Sequence, residues 1–196
     1  MPTSESIETI MNGALDIVGE RPLDDLVTPR RETRWLLRNY SSYVQTALRQ
    51  DVWNFSVEYW TLNQDATAPA FRWLYSYSLP NGWLRVLPIT FDGYPNGRGV
   101  DHEVSNNKLL TNQDVPLRAR LVMDRQNPGE WDPLFANLIK ARLAHGLAHG
   151  LTHKASYVQL AKQAVDEAYE VASMVNAFEG TPVPTEQHDV IRVRSL

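Results

Sequence analysis

The hydrophobic period of this chain changes twice. Up to about residue 50 apolar side chains recur every three or four positions, from 55 to 124 they tend to alternate, and beyond 132 the helical spacing returns. A helix presents one face every 3.6 residues and a strand every two, so one kind of element cannot serve both stretches. The chain is therefore expected to be α+β. Amphipathic helices at both ends need each other to bury their apolar stripes, which predicts one helical bundle with the alternating stretch inserted as a β-meander lobe.

Ile7, Ile10, Met11, Ala14 and Val18 form the first helical stripe, and Gly19 and Pro22 supply its stop. Thr28 followed by Pro29 reads as the N-cap and first turn of a second helix, with Leu36, Tyr40, Tyr43, Val44 and Ala47 on its buried face. Asp132-Pro133 repeats that start signal for a third helix expected to run to about Leu151, although Gly146 and Gly150 each cost about 1 kcal/mol there if exposed. The longest helix follows, with a seam of small residues at Val158, Ala161, Val165, Ala168, Ala172 and Val175, and it is closed by Gly180, Pro182 and Pro184.

In the middle stretch, Phe71, Trp73, Tyr75, Tyr77 and Leu79 alternate with smaller or polar residues, which predicts a strand with an aromatic face. Pro80-Asn81-Gly82 reads as a turn into a returning strand, Trp83 to Ile89. A second hairpin is expected from Val100 to Thr111 around Asn106-Asn107, and a further strand from Val115 to Met123. Ile191 and Val193 alternate with Arg192 and Arg194 near the end, the pattern of an extended arm. The organisation read from the sequence is a helical hairpin over 1–54, a β lobe over 55–125, completing helices over 126–180 and an arm over 181–196.

Composition narrows the function. A chain of 196 residues, 43% hydrophobic and 21% charged, can bury a substantial core and is not a disordered composition. Its formal net charge of −4 is no footprint for gripping nucleic acid and offers little attraction to an anionic membrane. With no cysteine, thiol nucleophiles and Cys-ligated zinc are out. No apolar run approaches the roughly 18 residues of a membrane span, and the first residues lack the basic start and apolar core of a secretion signal, so a soluble globular protein made in the cytoplasm is expected.

The chemically suggestive residues each have an ordinary reading beside them. His145, His149 and His153 recur every fourth position, as helical zinc ligands do, but no Glu follows His145 and Gly150 intervenes, so a surface stripe is the expectation. Asp24-Asp25, Asp101 with Glu103, Glu130 with Asp132, and Asp166, Glu167 and Glu170 are the candidate hydrolytic carboxylates, against which Asp132 is expected to cap a helix and the 166–170 group reads as a solvated helix face. Trp53, Trp60, Trp73 and Trp83 are expected to pack rather than to bind sugars. Arg30, Arg31, Arg34 and Arg38 could meet phosphates or form a solvated or subunit-facing surface. The run 92–99 has neither the lysine nor the helix of a phosphate loop and reads as a partner-contacting tip. No catalytic constellation, metal site or cofactor site assembles from these residues.

Several segments, in order, resemble the tail tubular protein A family of short-tailed bacteriophages: Gly19-Glu-Arg-Pro-Leu, Asp51-Val-Trp-Asn-Phe-Ser, Phe71-Arg-Trp-Leu-Tyr-Ser-Tyr-Ser-Leu-Pro, Trp83-Leu-Arg-Val-Leu, Asn107-Lys-Leu-Leu-Thr-Asn, Asp132-Pro-Leu-Phe and Ala141-Arg-Leu-Ala. The resemblance covers nearly the whole chain and implies a structural virion protein of the tail or neck rather than an enzyme. Such a head-to-tail adaptor forms a dodecameric ring between the portal protein and the tail nozzle protein, and genomic DNA passes through without specific binding. On that reading the arm residues Val190, Ile191, Arg192, Val193, Arg194 and Leu196 contact the portal or a neighbouring subunit. The tip residues Gly93, Tyr94, Asn96 and Arg98 contact the nozzle. The alternative carried from the family is a phage-associated hydrolase of polysaccharide or peptidoglycan.

Overall fold

A computed structural model describes residues 5–28, 30–90, 98–114, 116–152 and 155–179. It is an α+β fold of four helices and two small antiparallel sheets. The helices are α1 (Ile7–Val18), α2 (Arg31–Gln50), α3 (Pro133–Leu147) and α4 (Ala155–Glu179); the strands are β1 (Val57–Leu62), β2 (Tyr75–Ser78), β3 (Trp83–Val86), β4 (His102–Ser105), β5 (Lys108–Thr111) and β6 (Leu117–Met123).

The bundle is organised around α3. Phe135, Ala136, Leu138, Ile139, Ala141, Leu143, Ala144 and Leu147 are buried and occupy every side of it, the pattern of a helix enclosed by others. Helices α1, α2 and α4 all pack on it. Asp132 caps its start by accepting from the Leu134 N–H at 2.8 Å, as the Asp-Pro signal predicts. Ser6 caps α1 in the same way, and Gly19 ends it with φ +69°. The seam on α4 is the face turned inward, with Ala161 and Ala172 fully enclosed.

The start of α2 departs from the expectation. Its N-cap is Arg30, whose side chain makes no capping hydrogen bond; Thr28 lies in a turn organised by Asp25, whose carboxylate accepts from the Val27 and Thr28 N–H groups and the Thr28 hydroxyl. An Asx-type turn has taken the residue that looked like a helix cap. The third helix is also shorter than expected, because the chain leaves α-helical geometry after Leu147 for a π turn over Ala148–Thr152.

The β region forms two layers. The inner sheet has order β1-β6-β3 and the outer β2-β5-β4, with every pairing antiparallel. The expected hairpin around Asn106-Asn107 is present, both residues having positive φ as a tight β4–β5 turn requires. Pro80-Asn81-Gly82, by contrast, does not close a hairpin. Strand β2 pairs with β5 while β3 pairs with β6, so this turn carries the chain from the outer sheet to the inner one. The aromatic strand is likewise confined to Tyr75–Ser78. Arg72 has φ +70°, which breaks extended geometry, and Phe71 is left 83% exposed.

Strand β6 faces two cores. Val122 points into the bundle core with Trp53, Leu87 and Phe135, while Leu117, Ala119, Leu121 and Met123 point into the core between the sheets with Tyr77 and Leu109. At the bundle end of this layer, Phe135 meets Trp53 and Phe55 edge-on at 5.0 Å and Trp131 at 5.2 Å. Trp53 is thus core, as expected. Trp60 is not; it stands 37% exposed on the edge strand β1.

Candidate assembly surfaces and the carboxylate cleft

A cleft of about 310 Å³ opens where the β1 approach, the turn before α3 and the end of α4 converge, and Glu130, Asp132 and Glu179 line it. This is where a hydrolytic pair would act. Both members of the expected pair already have partners: Glu130 accepts from Arg125 at 3.2 Å and from Asn127 at 3.3 Å, and Asp132 holds the α3 cap. Glu130 is exposed, without the burial that adapts a carboxyl to donate a proton. Trp53 and Trp131 line the cleft but are 2% and 1% exposed, so neither offers a ring face to a sugar.

The histidines fall in different settings. His145 is on α3 and borders a groove with Tyr43, Arg142 and Val165; His149 lies past the helix end in the π turn and is exposed; His153 is outside the described residues. Among the described residues no three His, Asp or Glu side chains gather as metal ligands would.

Beside the π turn lies a basic groove of about 510 Å³, lined by Arg31, Arg34, Trp35, Arg38 and Gly150. The glycines here were missed as packing residues. A Cβ on Gly146 would sit 2.6 Å from Trp35 Cη2 and collide with the Tyr43 hydroxyl, and one on Gly150 would sit 3.1 Å from Trp35 Nε1. Their lack of a side chain is what brings the end of α3 against α2. The available signal was the i, i+4 glycine pair opposite two large aromatics. Arg30 is spent locally, donating to the Pro22 and Arg21 carbonyls and pairing with Glu32. The side chains of Arg31, Arg34 and Arg38 are exposed and make no ion pair or hydrogen bond among the described residues.

Helix α4 carries an exposed apolar row, Leu160, Val171, Met174 and Phe178, the last 81% exposed. Such a row on a helix is a surface suited to being covered. The arm residues Val190, Ile191, Arg192, Val193, Arg194 and Leu196, and the tip residues Gly93, Tyr94 and Asn96, lie outside the described residues. Arg98 is exposed beside Gly99, which bridges Thr90, and the Val100 N–H donates to the Ile89 carbonyl at 2.8 Å.

A polar cluster ties the segment after β1 to the neighbouring strands β2 and β5 of the outer sheet. Asp65 accepts from Ser76 Oγ at 2.9 Å, Ser78 Oγ at 2.8 Å and Lys108 Nζ at 2.8 Å. Burial pushes this carboxyl up, but the bonds from Lys108, Ser78 and Ser76 outweigh it and hold Asp65 below the ordinary carboxylate range. With its amine on the carboxylate, Lys108 is not placed to activate either serine.

No helix among the described residues is long and apolar enough to cross a membrane. Compared with protein-family models and with curated proteins, the chain matches none.

Proposed function

We propose that this chain is the head-to-tail adaptor of a short-tailed bacteriophage, a tail tubular protein A-like subunit that assembles as a ring between portal and nozzle and leaves DNA free to pass. The observation that carries the reading is the exposed apolar row on α4, in a bundle whose helix α2 exposes arginines that have no ion pair among the described residues. An exposed apolar row is a surface suited to a covering partner, and in a repeating assembly an arginine face on the next copy can meet it. The ordered sequence resemblance supplies the particular assembly. In this reading the bundle is the ring wall, the arm 181–196 reaches the portal or the next subunit, and the 92–99 tip faces the nozzle.

Light scattering on the purified chain, alone and mixed with its cognate portal protein, tests the reading. The expected result is a stoichiometric ring on the portal. Deleting 185–196 should block that ring while leaving the subunit folded, and deleting 93–98 should leave portal binding intact and abolish nozzle recruitment. A chain that ignores the portal but clears polysaccharide or cell wall, and stops doing so as Glu130→Gln with Asp132→Asn, is a hydrolase instead.

A further inference from the structure

We infer that the acidic, apolar outer face of α4 on one copy docks on the arginine face of α2 on the next copy, head to tail. The inference rests on the ring reading for its closure, but the two faces are argued from this subunit alone. Leu160, Val171, Met174 and Phe178 are spaced 11, 3 and 4 apart, which at 3.6 residues per turn gathers them within about 60° of the helix circumference. Glu167 falls within that row, and Glu170 and Asp166 flank it on one side. All three carboxylates are exposed and unpaired among the described residues.

The α2 face is its electrical opposite. Arg31, Arg34 and Arg38, spaced 3 and 4 apart, form a row of similar width, and Leu37 at its margin is 48% exposed. The imbalance runs through both elements: α2 holds four arginines against one glutamate, and α4 one lysine against four carboxylates. Lys162 stands one turn before Asp166, so Glu167 and Glu170 are the carboxylates with no cation on the neighbouring turn. Lys140, which borders the same groove as Glu167, is already held by Glu5 at 2.6 Å.

Within one subunit the two faces cannot meet, because α2 and α4 each turn their inner side to α3. Two different patches that complement each other across copies make a heterologous contact, which closes into a ring when the rotation allows. The apolar row supplies buried area, and the charge rows fix register and direction.

The absence of cysteine makes the test clean. Arg34→Cys and Glu167→Cys variants, each verified as folded by circular dichroism, are treated with a short bis-maleimide separately and mixed. The mixture should give at least tenfold more covalent dimer than either variant alone. A chain carrying both changes should give a ladder of multimers, and 1 M salt or Phe178→Asp should suppress both products. Equal dimer from the single variants, or none from the mixture at millimolar protein, overturns the inference. So does salt-sensitive binding of a short DNA duplex that is lost when Arg31, Arg34 and Arg38 become Gln, if no mixture-specific dimer forms. A ladder without portal binding keeps the docking faces and removes the adaptor reading; a portal-bound ring without 34–167 dimers does the reverse.

Discussion

Asn54 and Asn176 clasp each other across 122 positions of sequence: the Asn54 N–H donates to Asn176 Oδ1 at 2.9 Å, and Asn54 Nδ2 donates to the Asn176 carbonyl at 2.8 Å. Asn176 Nδ2 also donates to the Val52 carbonyl at 2.7 Å. The last turns of α4 are thereby pinned to the crossing from α2 into β1. Asn176→Ala removes two of the three bonds and should destabilise the chain by about 1–2 kcal/mol, read as a shift of the urea midpoint at unchanged slope. An unshifted midpoint would mean that solvent replaces the clasp at no cost.

Gly146→Ala inverts the usual propensity rule. Alanine normally favours a helix over glycine by about 1 kcal/mol, but here the added methyl enters the space of Trp35 and Tyr43. A net loss of about 1–3 kcal/mol is expected from the overpacking. Gly150→Ala, with its nearest neighbour 3.1 Å from the new carbon, should lose less. Urea denaturation of the two variants side by side gives the comparison, and a stabilised Gly146→Ala would refute the packing role.

Asp65 makes stability depend on acid. Its folded-state value is lowered, so its contribution is fully present above the unfolded carboxylate value near 3.9 and is lost as pH falls through the lower folded value. Melting temperature followed from pH 6 downward should fall less steeply below about pH 4 in Asp65→Asn than in the parent chain. Parallel curves for the two proteins would show that the outer-sheet cluster does not couple to folding.

Asp132 separates capping from chemistry. Asp132→Ala should cost about 1 kcal/mol through the lost cap, while Asp132→Asn, which keeps an accepting oxygen, should cost only a few tenths. Denaturation midpoints of the pair decide it; equal losses would mean that the carboxylate charge, and not the cap, is what α3 requires.

What the sequence made visible was period and punctuation. The spacing from Ile10 to Val18, the Asp132-Pro133 start and the α4 seam gave helices within a few residues of their observed limits, and Asn106-Asn107 gave a true hairpin, because each signal acts over one or two turns of chain. The departures have two causes. Thr28 lost its cap to a competing local turn on the carboxylate of Asp25. Pro80–Gly82 joined two sheets rather than two paired strands, and α3 ended at Leu147 where Trp35 closes in, outcomes set by partners elsewhere in the chain. The cleft was legible only as a pair of carboxylates; that Arg125 and a helix terminus already occupy them is a fact of three dimensions.

Strand β6 gives Val122 to the bundle core and its odd-numbered residues to the core between the sheets, and this bears on how the molecule can yield. A subunit with a hinge between bundle and lobe would let the outer sheet swing while the helices stayed still. Here Leu121 lies in the core between the sheets and its neighbour Val122 in the bundle core, so the two cores share one strand. A displacement of the outer sheet is carried through Leu121 and Val122 to Phe135, and through the reciprocal bonds of Arg49 to the Leu84 carbonyl and Arg85 to the Arg49 carbonyl, both 3.0 Å, into the end of α2. A load on the far side of the lobe therefore has a packed and hydrogen-bonded route to the helices.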